Sequence, residues 1–224
     1  MVDDIYLRYE SSADNNRLVT RSSVYCWFDS NWWQSFKRWT PYRHYLKRSD
    51  LLEAVQAKLG TSYKIGTKAN GSSTHVHFRL QLSNVAFYRW LQAIGLHPNK
   101  SKTLGSLDIP DNLYADFLRG CFDGDGSIWS FWDRRWVNSY VFYLTFTAAS
   151  PRFLRWLEQK NKELFNANGS ITATHGAEQL RYGKRATWLL YKTMYSKQNC
   201  LHLHRKQQRL IAILEADPYA VKYN

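Results

Sequence analysis

Residues 117–128 read FLRGCFDGDGSI, in which two aspartates, Asp123 and Asp125, and three glycines, Gly120, Gly124 and Gly126, close an apolar helical run. The run starts after Pro110, with Asp111 as the expected N-cap. Leu113, Phe117 and Cys121 recur at four-residue spacing, with Tyr114, Leu118 and Phe122 beside them. That periodicity predicts a buried helix. A glycine inside a helix costs roughly 1 kcal/mol relative to alanine, so Gly120 and Gly124 on one face need a structural reason, and close approach of a second helix supplies one. Asp125 is then carried to the bottom of that contact, where Gly126 ends the helix. A calcium loop starting at Asp123 fails, because Ile128 and Arg134 stand where such a loop needs its glycine and its bidentate glutamate. A solvated turn would leave the apolar helix and its glycines unexplained.

Composition points toward a polyanionic partner. The 224 residues carry 31 Lys+Arg against 18 Asp+Glu, a net charge of +13, and 16% of them are aromatic. The acids are unevenly placed. From Asp108 to Asp125 there are five aspartates and a single arginine, so an acidic island in a basic chain coincides with the glycine–aspartate motif. With 44% hydrophobic residues the chain can bury one good core or two small ones. It has neither an apolar stretch of about eighteen residues nor a basic segment followed by an apolar one at its start, so a soluble intracellular protein, cytoplasmic or organellar and without a membrane partner, is expected. Cys26, Cys121 and Cys200 are far apart, odd in number and form no CxxC pair, which predicts reduced thiols.

FLRGCFDGDGSI resembles the signature helix of the LAGLIDADG homing endonucleases. The resemblance extends to PNKSKTLGSLDIPDNLYADFLRGCFDGDGSI at 98–128 and, more loosely, over about 45–214. It implies an α+β fold of two pseudo-symmetric αββαββα-like halves, each with an antiparallel DNA-binding sheet. It further implies that Asp125 is a metal-binding acid, that Asp123 is the less critical acid, and that Gly120 and Gly124 form the helix interface. The implied chemistry is magnesium-assisted phosphodiester hydrolysis of double-stranded DNA. Lys102 in the first half and Lys206 in the second are candidates either for electrostatic support of the transition state or for phosphate anchoring.

An internal repeat agrees with two halves. SDLLEAVQAKLG at 49–60 is a capped amphipathic helix, and SPRFLRWLEQKNKELF at 150–165 repeats the design with Pro151 at its first helical position. HVHFRLQLSNVAFYRWLQAIG at 75–95 parallels EQLRYGKRATWLLYKTMYS at 178–196, each a strand running into a helix. Basic ends follow both, Lys100 and Lys102 after the first, Arg205 and Lys206 after the second. The expected division is an atypical segment at 1–44, a first half at 45–107, a second half at 108–214 and a tail at 215–224.

Strand alternation suggests how DNA would be met. Val76, Phe78, Leu80 and Leu82 share one face, and His75, His77, Arg79 and Gln81 the other. In 137–147, Tyr140, Phe142, Leu144 and Phe146 are expected inward, and Ser139, Val141, Tyr143, Thr145 and Thr147 outward. Arg–guanine and Gln–adenine pairs from such a face are each worth about 1–3 kcal/mol of discrimination. The DNA-contact candidates are Lys64, Lys68, Arg79, Arg134, Arg135, Arg181, Lys184 and Arg185. His75, His77, His202 and His204 read as exposed strand histidines, because a zinc site needs three or four convergent ligands.

The first half departs from the pattern. The nearest second motif is SSVYCWFDSNW at 22–32, with Asp29 as the second metal acid. That alignment sets Val24 and Phe28 opposite Gly120 and Gly124, and Ser30 opposite Gly126. Three readings follow. The chain is a site-specific endonuclease, monomeric or paired with a second copy through the 113–124 helix; or a maturase-like binding protein that has lost cutting, with intron RNA as an added partner; or a DNA-binding regulator on the same scaffold.

Overall fold

The computed structural model describes residues 42–46, 50–69, 76–82, 84–97, 100–136 and 139–219. Asp29 and the rest of 22–32, with Cys26, lie outside the described residues, as do His75 and the side chains of Lys68 and His77.

The first described elements are β1 (Tyr42–Leu46), α1 (Asp50–Leu59), β2 (Ile65–Ala69), β3 (Val76–Leu82) and α2 (Val85–Ala93), followed by a 3-10 turn over Lys100–Lys102. They are followed by α3 (Asp111–Gly124), β4 (Ser127–Trp132), β5 (Tyr140–Ala148), α4 (Pro151–Phe165), β6 (Ser170–Thr174), β7 (Ala177–Tyr182), α5 (Lys184–Met194) and α6 (His204–Glu215). From α3 to α5 the order is αββαββα, with α6 added. The protein is α+β, with two antiparallel sheets ordered β1–β3–β2 and β4–β5–β7–β6.

The repeat is visible in this topology. β1, α1, β2, β3 and α2 follow one another as β5, α4, β6, β7 and α5 do, and in each set the fourth element is flanked by the first and third. Leu51, Leu52, Val55, Leu80 and Leu91 bury the first sheet against its helices, while Phe142, Leu144, Leu154, Leu157, Leu180 and Leu190 do so in the second. Residues 94–109 connect the two and fold back on themselves. Ile94 O accepts from Asp108 N at 3.0 Å. Gly95, in the left-handed region at φ +99°, leaves room for Leu107 where a Cβ would stand 3.2 Å from it.

Three local expectations need correction. Asp111 is not the N-cap of α3: Pro110 holds that position and Asp111 is the first helical residue, paired with Lys160 Nζ at 2.9 Å. A carboxylate in a first turn still complements the helix dipole. Ser150 stands at the N-cap of α4 but makes no capping bond; its hydroxyl donates to Leu104 O, tying α4 to the inter-half segment. Thr145, expected outward, is 0% exposed. It faces away from the helices, yet its hydroxyl bonds the Ser127 hydroxyl at 2.6 Å and it lies between Ser127 and Arg181 in the ladder, so the strands on both sides cover it.

Among the described residues no helix is long and apolar enough to cross a membrane. Cys121 is buried and Cys200 half-buried, both as free thiols.

Candidate active site and nucleic-acid interface

α3 is buried along nearly its whole length, polar residues included. Arg119 is 1% exposed; its Nε donates to Leu201 O at 2.9 Å, its Nη1 to Met194 O at 2.6 Å, and its Nη2 pairs with Asp116. The second Asp116 oxygen accepts from Lys197 Nζ at 2.9 Å. A buried charge is tolerated only when paired and hydrogen-bonded, and this network meets that requirement by clamping the 194–201 segment onto α3. Sequence reasoning missed both residues: an Asp and Arg three apart on a helix read as a solvated pair. The available signal was their position on an otherwise apolar helix.

The motif acids lie at the lower end of α3. Asp123 is 2% exposed, its Oδ2 accepts from Leu203 N at 2.9 Å, and its Oδ1 has no hydrogen-bond partner among the described residues. Burial pushes its carboxyl up to about 6, against the Leu203 hydrogen bond and the nearby positive charges, which pull it down. Asp125 is half-buried at the C-cap, its backbone N–H bonded to Cys121 O at 3.1 Å. Gly126 follows because no side chain fits: a Cβ would stand 2.5 Å from Phe122 Cα and 2.7 Å from Phe122 O. Gly126→Ala is therefore expected to destabilise the fold by about 1–3 kcal/mol through overpacking, measured by urea unfolding, whereas Gly105→Ala, where the same atom meets nothing within 4 Å, should be nearly neutral.

Lys206 at the start of α6 reaches this end of α3. Its Nζ donates to Phe122 O at 2.7 Å, Gly124 O at 3.1 Å and Gly126 O at 2.7 Å. Those carbonyls are the unsatisfied, partly negative end of a helix, which is why an ammonium settles there. All three donors are committed to backbone carbonyls, a geometry that suits the electrostatic role offered for Lys206 better than direct phosphate anchoring. Burial lowers its pKa to about 8, while the Asp123 and Asp125 carboxylates oppose that fall.

The Asp123 shift has a consequence for stability. A folded pKa above the unfolded one favours the fold fully below about 3.8, and that contribution is lost as pH rises through about 6. Asp123→Asn keeps the acceptor for Leu203 N and removes the buried charge. The variant should exceed the wild type in stability by about 1–3 kcal/mol at pH 7.5, with the gap closing near pH 4, as read from unfolding curves at the two pH values.

The other candidates are dispersed. Lys102 is exposed in its 3-10 turn. Lys64 is exposed ahead of β2, and Arg79 lies half-buried on β3 opposite Gly66. Arg134 and Arg135 are exposed in the β4–β5 turn, where Arg135 pairs with Asp133 at 2.8 Å. Arg185 is exposed in the first turn of α5. Lys184 begins α5 just after β7, and its Nζ pairs at 2.9 Å with Asp217, whose side chain is fully buried. His202 and His204 lie before and at the start of α6, not on a strand, and His202 Nδ1 contacts Cys200 O at 2.7 Å. Arg181 does lie on the open face, its guanidinium 5.4 Å from the Trp129 ring and 5.2 Å from that of Tyr143. Trp129 and its neighbour Phe131 were missed from sequence because β4 has large apolar residues on both faces and shows no clean alternation.

Among the described residues no three His, Cys, Asp or Glu side chains gather to hold a metal. The donor chemistry nonetheless fits magnesium, which is usually held by one or two carboxylates with substrate phosphates and water completing its shell. Asp125 provides such a carboxylate at an accessible helix end.

No family model matches the sequence, and no curated protein matches it. Solved structures do. The homing endonuclease I-WcaI, bound to its DNA recognition sequence, is 14% identical with a TM-score of 0.54, covering 89% of this chain and 88% of that one. A variant of the homing endonuclease I-DmoI, in complex with its target DNA in the presence of magnesium, is 14% identical with a TM-score of 0.53, covering 83% of this chain and all 100% of that one. Full-length DUF199/WhiA from Thermatoga maritima is 12% identical with a TM-score of 0.53 over 91% of this chain, which spans 63% of that protein's length. The chain thus has the LAGLIDADG homing-endonuclease fold.

Proposed function

We propose that this protein is a site-specific DNA endonuclease of the LAGLIDADG type, hydrolysing phosphodiester bonds at a long duplex target with magnesium. The observation that carries the reading is the end of α3, where Asp125 is presented beside the Lys206 ammonium on a fold shared with DNA-bound endonucleases. Asp125 would hold the metal, with Asp29 as the second acid. The bound ion would supply an activated water and neutralise charge on the scissile phosphate. Lys206 fixes the helix end and adds positive charge behind the phosphate without donating to it. Lys102 is assigned to the phosphate backbone on the other half. The working division is a first half at 45–107 and a second at 108–214, flanked by 1–44 and 215–224.

Lys64, Lys68, Arg79, Arg134, Arg135, Arg181 and Arg185 are proposed to follow the DNA, partly through shape and bendability, so no residue-to-base code applies. The test is duplex affinity against salt. The logarithm of affinity should fall with the logarithm of salt concentration by about 0.9 for each phosphate contact. A flat response would remove nucleic acid as the partner.

A second reading, a binding protein that no longer cuts, is favoured by one feature: Val24 and Phe28 replace the glycines expected in the first half. It predicts the same salt dependence without cleavage.

A further inference from the structure

The second sheet has a face directed away from its helices, and its composition is unusual for reading a paired duplex. By ladder register, Trp129 lies opposite Tyr143, Phe131 opposite Val141, and Thr145 opposite both Ser127 and Arg181 on that face. The Trp129 and Phe131 rings are 5.6 Å apart and within 13° of parallel, the Tyr143 ring is 4.9 Å from Trp129, and Arg181 packs over both Trp129 and Tyr143. The result is a column that starts at Arg181 and ends at Phe131, which stays 41% exposed. Beyond it is the turn carrying the exposed Arg134.

Paired bases in a duplex present only their edges in the grooves, and a Phe ring, which has no donor or acceptor, is limited there to apolar contact with a thymine methyl. An aromatic ring at the end of a stacked column instead complements the face of a base, which is available only where the base is unpaired or unstacked. The surrounding charge selects among partners for an exposed apolar group. Arg181 and Arg134 flank the column in a chain of net charge +13, which favours a polyanion over an apolar protein surface.

We infer that this column is a stacking platform for a single unpaired nucleobase, with Phe131 against the base and Arg134 against a neighbouring phosphate. The inference rests on the nucleic-acid reading above and deepens it, adding a distorted or partly single-stranded element to the recognised target.

The test uses the full chain with two labelled duplexes, one fully paired and one identical except for a single unpaired 2-aminopurine, at one fixed salt concentration. The wild type should bind the second about ten-fold more tightly and quench the 2-aminopurine fluorescence. Phe131→Leu, which keeps an apolar side chain but removes the ring, should bind both duplexes with the wild type's affinity for the paired one and leave the fluorescence unquenched. Phe131→Tyr should restore both effects, so a loss in the leucine variant cannot be attributed to misfolding. Equal affinity of the wild type for the two duplexes, or an unchanged preference in Phe131→Leu, would overturn the platform while leaving duplex binding intact. Failure to bind either duplex would overturn the nucleic-acid reading with it.

Discussion

Asp125→Asn should abolish measurable cutting, lowering cleavage by at least about 10²–10³-fold, while duplex affinity stays within about two-fold of the wild type. The substitution preserves size. It leaves the backbone bond from residue 125 to Cys121 O in place, and the three carbonyls that hold Lys206 belong to Phe122, Gly124 and Gly126. The helix end therefore keeps these backbone bonds and loses the carboxylate charge that a hard cation requires. Cleavage is read on a gel with magnesium present, and affinity by anisotropy with magnesium omitted. Equal cleavage by the two proteins would place the metal elsewhere; loss of binding together with cleavage would make Asp125 a structural residue.

Arg119→Met should cost about 3–5 kcal/mol, the range seen when one partner of a buried ion pair is removed. For a chain of this size that lowers the melting temperature by about 6–20 °C. Methionine fills much of the same volume, so the loss is chiefly electrostatic. Asp116 is left charged and buried with Lys197 as its ion-pair partner, and Leu201 O and Met194 O lose their donor. Asp116→Leu added to Arg119→Met should recover part of the loss, because it removes the stranded charge. Thermal melts of the two variants check this, and a single variant as stable as the wild type would show that the clamp between α3 and the 194–201 segment contributes nothing.

The sequence was informative where one periodicity dominated. α3 was legible from its apolar spacing and glycines, the repeat from two matched helix designs, and the inward face of β5 from Tyr140, Phe142, Leu144 and Phe146, all of which are buried. It was silent where burial came from tertiary neighbours. Alternation placed Thr145 correctly on the outer face but could not show that strands on both sides would seal it. Arg119 and Asp116 have the spacing of a surface pair, and only the return of the chain at 194–201 makes them a buried network. Lys206 stayed open between two roles because its partners are backbone carbonyls eighty or more residues away, which carry no side-chain signature. Pro110 displaced Asp111 from the N-cap although aspartate is the better capping residue, a boundary shift of one position.

The most direct test of the endonuclease reading is to incubate the wild-type chain with a randomised duplex library in magnesium and sequence the cut ends. The account predicts cleavage that converges on one long target and disappears in Asp125→Asn. A protein that binds the library with steep salt dependence but leaves every duplex intact would contradict it.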